Sequence, residues 1–168
     1  GVKMVAISSG ASSFDRSNMS KARETRREAA QTLDEWGVDC IIAGGGPVST
    51  LEGADAEDDL VEDIQAEVSV PFTTALKAQV AALRDIGAET LLAVTPFPDN
   101  RDEETKTYLE ERGFDVAAIG GIDLPQPGDV RNLPPTTAYQ CAKQLASQTD
   151  AEFDTIYIGC APFGPMEY

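Results

Sequence analysis

The sequence contains no histidine. Histidine is the commonest metal ligand and the commonest general base, so its absence disfavours a zinc site and excludes Ser-His-Asp or Cys-His catalysis. The three cysteines are an odd number without metal-ligand spacing, which is typical of a reducing compartment. Acid–base chemistry therefore falls to Cys, Asp, Glu, Tyr or Lys side chains, and we expect no metal.

Basic residues are scarce. The chain has 13 Lys and Arg against 29 Asp and Glu, and its formal net charge is −16. This charge repels nucleic acid and anionic lipid, so neither is expected as a partner. Only five of the basic residues are lysines. A very acidic, lysine-poor surface indicates a protein that stays soluble at high salt, and we expect a halophilic protein.

Long hydrophobic runs are absent as well. No apolar run reaches roughly 18 residues, the length needed to span a bilayer. The first residues also lack the charged region, apolar region and cleavage site of a signal peptide. We therefore expect a cytoplasmic protein without a membrane partner. At 168 residues, the chain is expected to form one domain with its own core.

Short apolar runs alternate with segments of helical periodicity along the chain. Strands are predicted at Val2–Ser8, Asp39–Ala43, Thr90–Thr95, Phe114–Ile119 and Thr155–Gly159, with a brief extended piece near Val70–Phe72. Helices are predicted at Ser17–Trp36, Glu57–Glu67, Thr74–Ile86, Arg101–Arg112 and Thr136–Ser147. This alternation predicts an α/β fold, with a parallel sheet covered by helices on both faces. Thr90–Thr95 is apolar on both faces and is expected to be central.

The order helix, glycine, strand and loop occurs twice, from Ser17 to Pro47 and from Thr74 to Asn100. It predicts two pseudo-symmetric halves, about residues 1–70 and 71–168. The first predicted strand has no unit before it, and the last has no covering helix. We therefore expect the chain to be truncated at both ends, with an incomplete second half.

Cys160 stands directly after the last predicted strand. Ligands of open α/β sheets bind beyond the carboxyl ends of the strands, so a thiol there can meet a substrate. Nearby backbone N–H groups are expected to lower its pKa from about 8.5. The alternative is a small buried side chain, as most cysteines are. Cys40, inside a strand, and Cys141, on a helix, are expected to be shielded core or helix-face residues.

The second predicted strand opens into a glycine-rich loop, Gly44–Ser49. Its amide groups are suited to cradle an anion, although it is neither a Walker loop nor a dinucleotide fingerprint. The alternative is a tight, flexible turn. After the central strand, Thr95 and Asn100 are candidates to hydrogen-bond a ligand, or else to form a turn with a helix N-cap.

Four stretches have a familiar pattern: TTALKAQVAALRDIGAETLLAVTPFPDN, YLEERGFDVAAIGGI, WGVDCIIAGGGPVSTLEG and FDTIYIGCAPF. Together they resemble the aspartate/glutamate racemase superfamily, in the branch of maleate cis-trans isomerase and arylmalonate decarboxylase. The resemblance extends over essentially all 168 residues. It implies the same α/β fold in two halves.

In that superfamily two half-sites face each other across a small acid, each with one residue at a strand end. The resemblance places Gly45 in the first half-site and Cys160 in the second. Racemases and maleate isomerases carry cysteine in both, whereas decarboxylases carry glycine and then cysteine. The resemblance therefore implies a cofactor-independent decarboxylase of a substituted malonate-like acid, in which Cys160 protonates the enediolate left by loss of CO₂.

The resemblance also implies a set of supporting groups. They are the N–H donors of Gly45, Gly46 and Ala161 and the hydroxyls of Ser49 and Thr95, and no cofactor is needed. Two alternatives stay open. One is a maleate cis-trans isomerase, or a racemase of a small dicarboxylate or amino acid, with a replacement for the missing cysteine. The other is a non-catalytic binder. The partner in each case is a small carboxylic acid, and a homo-oligomer is compatible with the sequence.

The sequence departs from the family pattern at three places. Phe97 stands where the family usually has tyrosine, so a hydroxyl that holds a carboxylate is missing. Asp102 replaces an asparagine and adds negative charge, and Gly46-Pro47 replaces Thr-Ser. These changes imply a substrate different from those known for the family.

The net charge of −16 generates a prediction about salt. Self-repulsion destabilises the fold at low ionic strength and added ions screen it, so the melting temperature should rise with KCl or NaCl. Thermal melts followed by circular dichroism, from dilute buffer to molar salt, measure this dependence. A flat or falling melting temperature would contradict the halophilic interpretation.

Overall fold

The protein is described by a computed structural model that covers residues 1–160 and Phe163. The strands are β1 (Ile41–Ala43), β2 (Phe72–Thr74), β3 (Thr90–Thr95), β4 (Asp115–Gly121) and β5 (Thr155–Ile158). The α-helices are α1 (Arg16–Glu35), α2 (Gly46–Ser49), α3 (Ala54–Gln65), α4 (Ala75–Asp85), α5 (Asp99–Glu111) and α6 (Thr137–Gln148). Short 3₁₀-helices span Thr50–Glu52 and Pro127–Asn132. Within the described residues, no helix combines the length and apolar character needed to cross a bilayer.

The strands form two parallel sheets. β1 pairs with β2 in one sheet, and β3 lies between β4 and β5 in the other. The predicted α/β class and parallel pairing are confirmed, with the strands divided between two sheets. The division of the chain into two pseudo-symmetric halves stays a prediction.

Val2–Ser8 is the exception among the predicted strands. The segment has no regular secondary structure, and the side chains of Val2 and Met4 are almost fully exposed. A β-strand forms only where its backbone N–H and C=O groups pair with a neighbour. Among the strands of residues 1–160, none pairs with this segment. The strand prediction here is wrong, because a short apolar run indicates a tendency to be buried but not a pairing partner.

β3 lies at the centre of the core, as predicted. Its residues Leu91, Leu92, Ala93 and Val94 are completely buried. On one face, side chains of β3 pack against α4 and α5, and on the other Val94 packs against α6. Burial of each of the two leucines stabilises the fold by about 1.5–3 kcal/mol relative to exposure.

A buried carboxylate, Glu57 of α3, connects this helix to later parts of the chain. It accepts hydrogen bonds from Thr74 Oγ1 at 2.6 Å and from the Tyr108 hydroxyl, and Arg112 Nη2 lies 3.6 Å away. Arg112 also pairs with Asp58 at 2.7 Å, and its hydrogen bond to that carboxyl lowers the pKa of Asp58 to about 2. The network therefore ties α3 to the start of α4 and to the end of α5.

Glu57→Ala should lower the free energy of unfolding by about 3–5 kcal/mol. The substitution leaves two buried hydroxyls without an acceptor and removes a carboxylate beside Arg112. Asp63 is a matched control on the same helix, because its side chain is 67% exposed in a pair with Arg27. Asp63→Ala should cost less than about 1 kcal/mol. Urea denaturation measures both changes, and equal losses would contradict the role given to Glu57.

Candidate functional site

A cavity of about 370 Å³ lies where the loops after β1, β3 and β5 come together. Gly45 and Gly46 line it from the first loop, Pro96 and Phe97 from the second, and Cys160 from the third. Parallel strands bring their carboxyl ends to the same side, which is where ligands of α/β proteins bind. The fold thus places the two residues implied as half-sites, Gly45 and Cys160, on one cavity.

The wall of this cavity is mainly apolar. No described lining residue is Asp, Glu, Lys or Arg, and its polar side chains besides Cys160 are Thr50, Gln79, Thr105 and Tyr157. The Tyr157 hydroxyl already donates a hydrogen bond to Gln79 Oε1 at 2.8 Å. The walls therefore suit an apolar part of a ligand, whereas a carboxylate needs backbone donors.

The glycine loop supplies such donors. Gly45 has a φ of +89°, in the left-handed region that favours glycine. A Cβ at Gly45 would lie 3.5 Å from Val48 Cγ2, an ordinary contact, so backbone conformation rather than space favours glycine here. The Gly45 carbonyl accepts the amides of Val48 and Ser49 at 3.1 and 3.2 Å, which starts α2. The N–H groups of Gly45 and Gly46 have no acceptor in the part of the chain that the structure describes.

Arg26 of α1 lies beside this loop and was not identified from the sequence. Its Nη2 donates to the carbonyls of Gly44 at 2.8 Å and Gly45 at 3.1 Å, and its Nη1 donates to Ser49 Oγ at 3.2 Å. Burial lowers the pKa of Arg26 to about 10, which leaves the guanidinium charged at neutral pH. The sequence does contain a signal for this role, because Arg26 is a charged residue on the otherwise apolar, buried stripe of α1. The other buried members of that stripe are Met19, Ala22 and Ala30.

Cys160 follows β5 in a left-handed backbone conformation, with a φ of 74°. Its side chain is partly buried. Burial raises the pKa of the Cys160 thiol above its ordinary value, and the hydrogen bond from the Phe163 amide offsets this only in part. The expectation that backbone N–H groups lower this pKa is wrong, because desolvation outweighs that hydrogen bond. The thiol is therefore protonated at neutral pH.

Two predicted ligand-binding residues, Ser49 and Thr95, are buried and do not line the cavity. The Ser49 hydroxyl accepts the hydrogen bond from Arg26. Thr95 donates its hydroxyl proton to Asp102 and accepts the Phe97 amide at 3.1 Å. Burial raises the pKa of Asp102 to about 6. Both hydroxyls hold the loops that line the cavity, and a direct contact of either with a ligand stays a prediction.

Two further candidates lie away from the described cavity wall. Asn100 is exposed in the first turn of α5 and does not line the cavity. Ala161 lies outside the described residues, so its implied N–H contact stays a prediction. Among residues 1–160 and Phe163, no group of three or more Cys, Asp or Glu side chains is placed to hold a metal ion.

Solved structures share this fold. A mutant of arylmalonate decarboxylase in a liganded form has a TM-score of 0.82 at 16% identity, covering 88% of this chain and 62% of its own. Maleate cis-trans isomerase from Nocardia farcinica bound to TRIS has a TM-score of 0.81 at 15% identity, covering 89% of this chain and 62% of its own. A maleate isomerase variant from Pseudomonas putida S16 with maleate has a TM-score of 0.75 at 17% identity, covering 84% of this chain and 58% of its own. The chain thus spans about six-tenths of the length of these proteins.

These likenesses define the class of fold, an α/β fold shared with arylmalonate decarboxylase and maleate isomerases. The sequence profile of the arylmalonate decarboxylase family matches residues 1–166. The chain belongs to the arylmalonate decarboxylase family. No match was found among curated protein sequences.

The three cysteines should differ in their rates of alkylation. Cys40 is exposed, and the expectation that its strand shields it is wrong, because β1 begins only at Ile41. Burial raises the pKa of both Cys141 and Cys160, and the thiolate is the form that reacts. With iodoacetamide at neutral pH, Cys40 should label first. Because the pKa of Cys160 is raised, its labelling should still be accelerating with pH above the ordinary thiol pKa of about 8.5.

Peptide mass spectrometry of samples quenched at several pH values measures these rates residue by residue. A Cys160 that labels before Cys40 at neutral pH would contradict the protonated, partly buried thiol.

Proposed function

We propose that this chain carries the active site of a cofactor-independent decarboxylase of a substituted malonate-like acid, with Cys160 as the proton donor. The observation that supports it is that Gly45, which has no side chain, and Cys160 line the same apolar cavity. Racemisation by two bases, or attack by a second cysteine, needs a reactive group opposite the thiol. Gly45 supplies none, whereas decarboxylation needs only one proton donor.

In the proposed reaction, the carboxylate that is retained accepts hydrogen bonds from the N–H groups of Gly45 and Gly46. The second carboxylate lies against the apolar wall, where it is poorly solvated. Its bond to the α-carbon breaks, CO₂ leaves, and the electron pair passes into the retained carboxyl group to form an enediolate. The two amides stabilise the negative charge that develops on the enediolate oxygens.

Cys160 then transfers its S–H proton to the α-carbon, which gives a monocarboxylate and a thiolate. Solvent returns a proton to the sulfur. Burial keeps the thiol protonated at neutral pH because it raises the pKa of Cys160. Since the thiol lies on one side of the bound acid, the proton reaches one face of the α-carbon, and the product is a single enantiomer when that carbon is stereogenic.

A second candidate, a maleate isomerase, is supported by the fold shared with two such enzymes. It requires conversion of maleate without release of CO₂, and a nucleophile that replaces the side chain missing at Gly45. A non-catalytic binder requires ligand binding with neither reaction.

Phenylmalonate is the probe for the proposed activity. The chain should release CO₂ from it, and in D₂O the product should carry one deuterium delivered from Cys160. Cys160→Ala should lower kcat by at least about 100-fold, because the proton donor is lost. Cys141→Ala is the matched control: it removes a thiol that does not line the cavity and should leave kcat unchanged.

The rate should be constant near neutral pH and fall as the pH rises through the raised pKa of Cys160, since the thiolate has no proton to transfer. CO₂ release and the deuterium content of the product by NMR provide the readout. Full activity of Cys160→Ala would refute the mechanism. Turnover of maleate without CO₂ would favour the isomerase, and binding without either reaction would favour the binder.

A further inference from the structure

We infer that Arg26 is a positioning residue that makes the glycine loop selective for a carboxylate, acting through the peptide groups that join Gly44, Gly45 and Gly46. The inference rests on the proposed function, in which this loop holds the retained carboxylate of the substrate.

Arg26 is unusual because its charge is buried and, among the described residues, no carboxylate lies within ion-pair distance of it. Among the ion pairs of the described residues, Arg26 takes part in none, although the chain has 29 acidic residues. The residue is 4% exposed, and within the described part of the chain its Nε has no hydrogen-bond partner. Arg112, by contrast, pairs with Asp58. The negative charge of Glu57 raises the pKa of Arg26 and offsets part of the effect of burial, but Glu57 lies beyond ion-pair distance. A buried guanidinium without a direct partner is costly, and an anion bound nearby offsets that cost.

The geometry of the loop sets the direction in which its unused N–H donors point. The carbonyl and the N–H of one trans peptide point in opposite directions. Arg26 Nη2 binds the carbonyls of Gly44 and Gly45. The N–H groups of Gly45 and Gly46 belong to those same two peptides and therefore point away from the guanidinium. Both glycines line the cavity and Arg26 does not, so the loop lies between the charge and the cavity.

Two effects of this arrangement favour a carboxylate. Each hydrogen bond from Arg26 polarises a peptide in the direction that strengthens its N–H as a donor. The positive charge also acts through the loop, in an interior where charges are weakly screened. The hydrogen bond from Arg26 Nη1 to Ser49 Oγ holds the guanidinium at the last residue of α2. The two peptides that accept hydrogen bonds from Arg26 therefore keep their orientation.

The test uses two ligands of nearly the same shape that differ in charge, phenylacetate and the neutral phenylacetamide. Neither can lose CO₂, so the measurement is independent of turnover. Binding is read as protection of Cys160 from iodoacetamide, located by mass spectrometry, which restricts the signal to the cavity. Arg26→Met should weaken protection by phenylacetate about tenfold or more and leave protection by phenylacetamide within about twofold.

Three variants complete the experiment. Arg26→Lys keeps the charge and should restore most of the affinity for phenylacetate. Arg26→Gln removes the charge but keeps donors for the loop carbonyls, and it should show the selective loss even if Arg26→Met does not fold. Arg27→Met removes the same charge from the next residue of α1, where the side chain pairs with Glu67 and Asp63. It should leave the protection of Cys160 by both ligands unchanged.

Equal weakening of both ligands in the folded Arg26 variants would indicate a merely structural role and overturn the inference, as would unchanged binding of phenylacetate. These outcomes are separate from the proposed function. A chain that decarboxylates phenylmalonate without dependence on Arg26 refutes only the inference. A chain that shows the selective loss but releases no CO₂ refutes only the decarboxylase. If the parent chain binds neither ligand in the cavity, both are overturned.

Discussion

The position of Cys160 depends on the pairing of β5 with the central strand β3. The register joins Val94 to Ile158, and the Gly159 amide continues the pairing with a 2.9 Å hydrogen bond to the Val94 carbonyl. On the other edge of β3, Gly121 of β4 approaches so closely that any Cβ there would overlap the Thr95 carbonyl. With β3 held from both sides, the loops that follow it and β5 have fixed positions, and the thiol enters the cavity at a defined point.

The protein handles its buried charges in two different ways. Glu57, Arg112 and Asp58 form a network in which the carboxylates and the guanidinium have close partners. Such networks stabilise only as a unit, because loss of one member leaves another uncompensated. Arg26 is instead held by neutral groups, beside a loop in which the amides of Gly45 and Gly46 have no acceptor among residues 1–160 and Phe163. Natural proteins often keep an unfavourable charge where it serves function, and this contrast sets the glycine loop apart from the core.

The parts that sequence predicts well are those that depend on local pattern. Thr90–Thr95, apolar on both faces, is the buried central strand, and the residues after strand ends, Gly45 and Cys160, do meet at one cavity. The strand prediction for Val2–Ser8 is wrong because strand formation depends on a pairing partner, which local pattern does not reveal. The pKa of Cys160 is raised rather than lowered, because desolvation depends on the whole environment of the thiol. Arg26 was missed although its place on an apolar helix stripe could have revealed it.

The proposed mechanism requires that one small acid bind between the glycine loop and the thiol. A crystal structure of the chain with phenylacetate is the direct test of this requirement. The carboxylate oxygens should lie within hydrogen-bonding distance, about 2.7–3.2 Å, of the amide nitrogens of Gly45 and Gly46, with the α-carbon facing Cys160 Sγ. A carboxylate bound elsewhere, or one turned away from the loop with the α-carbon remote from the sulfur, would contradict it.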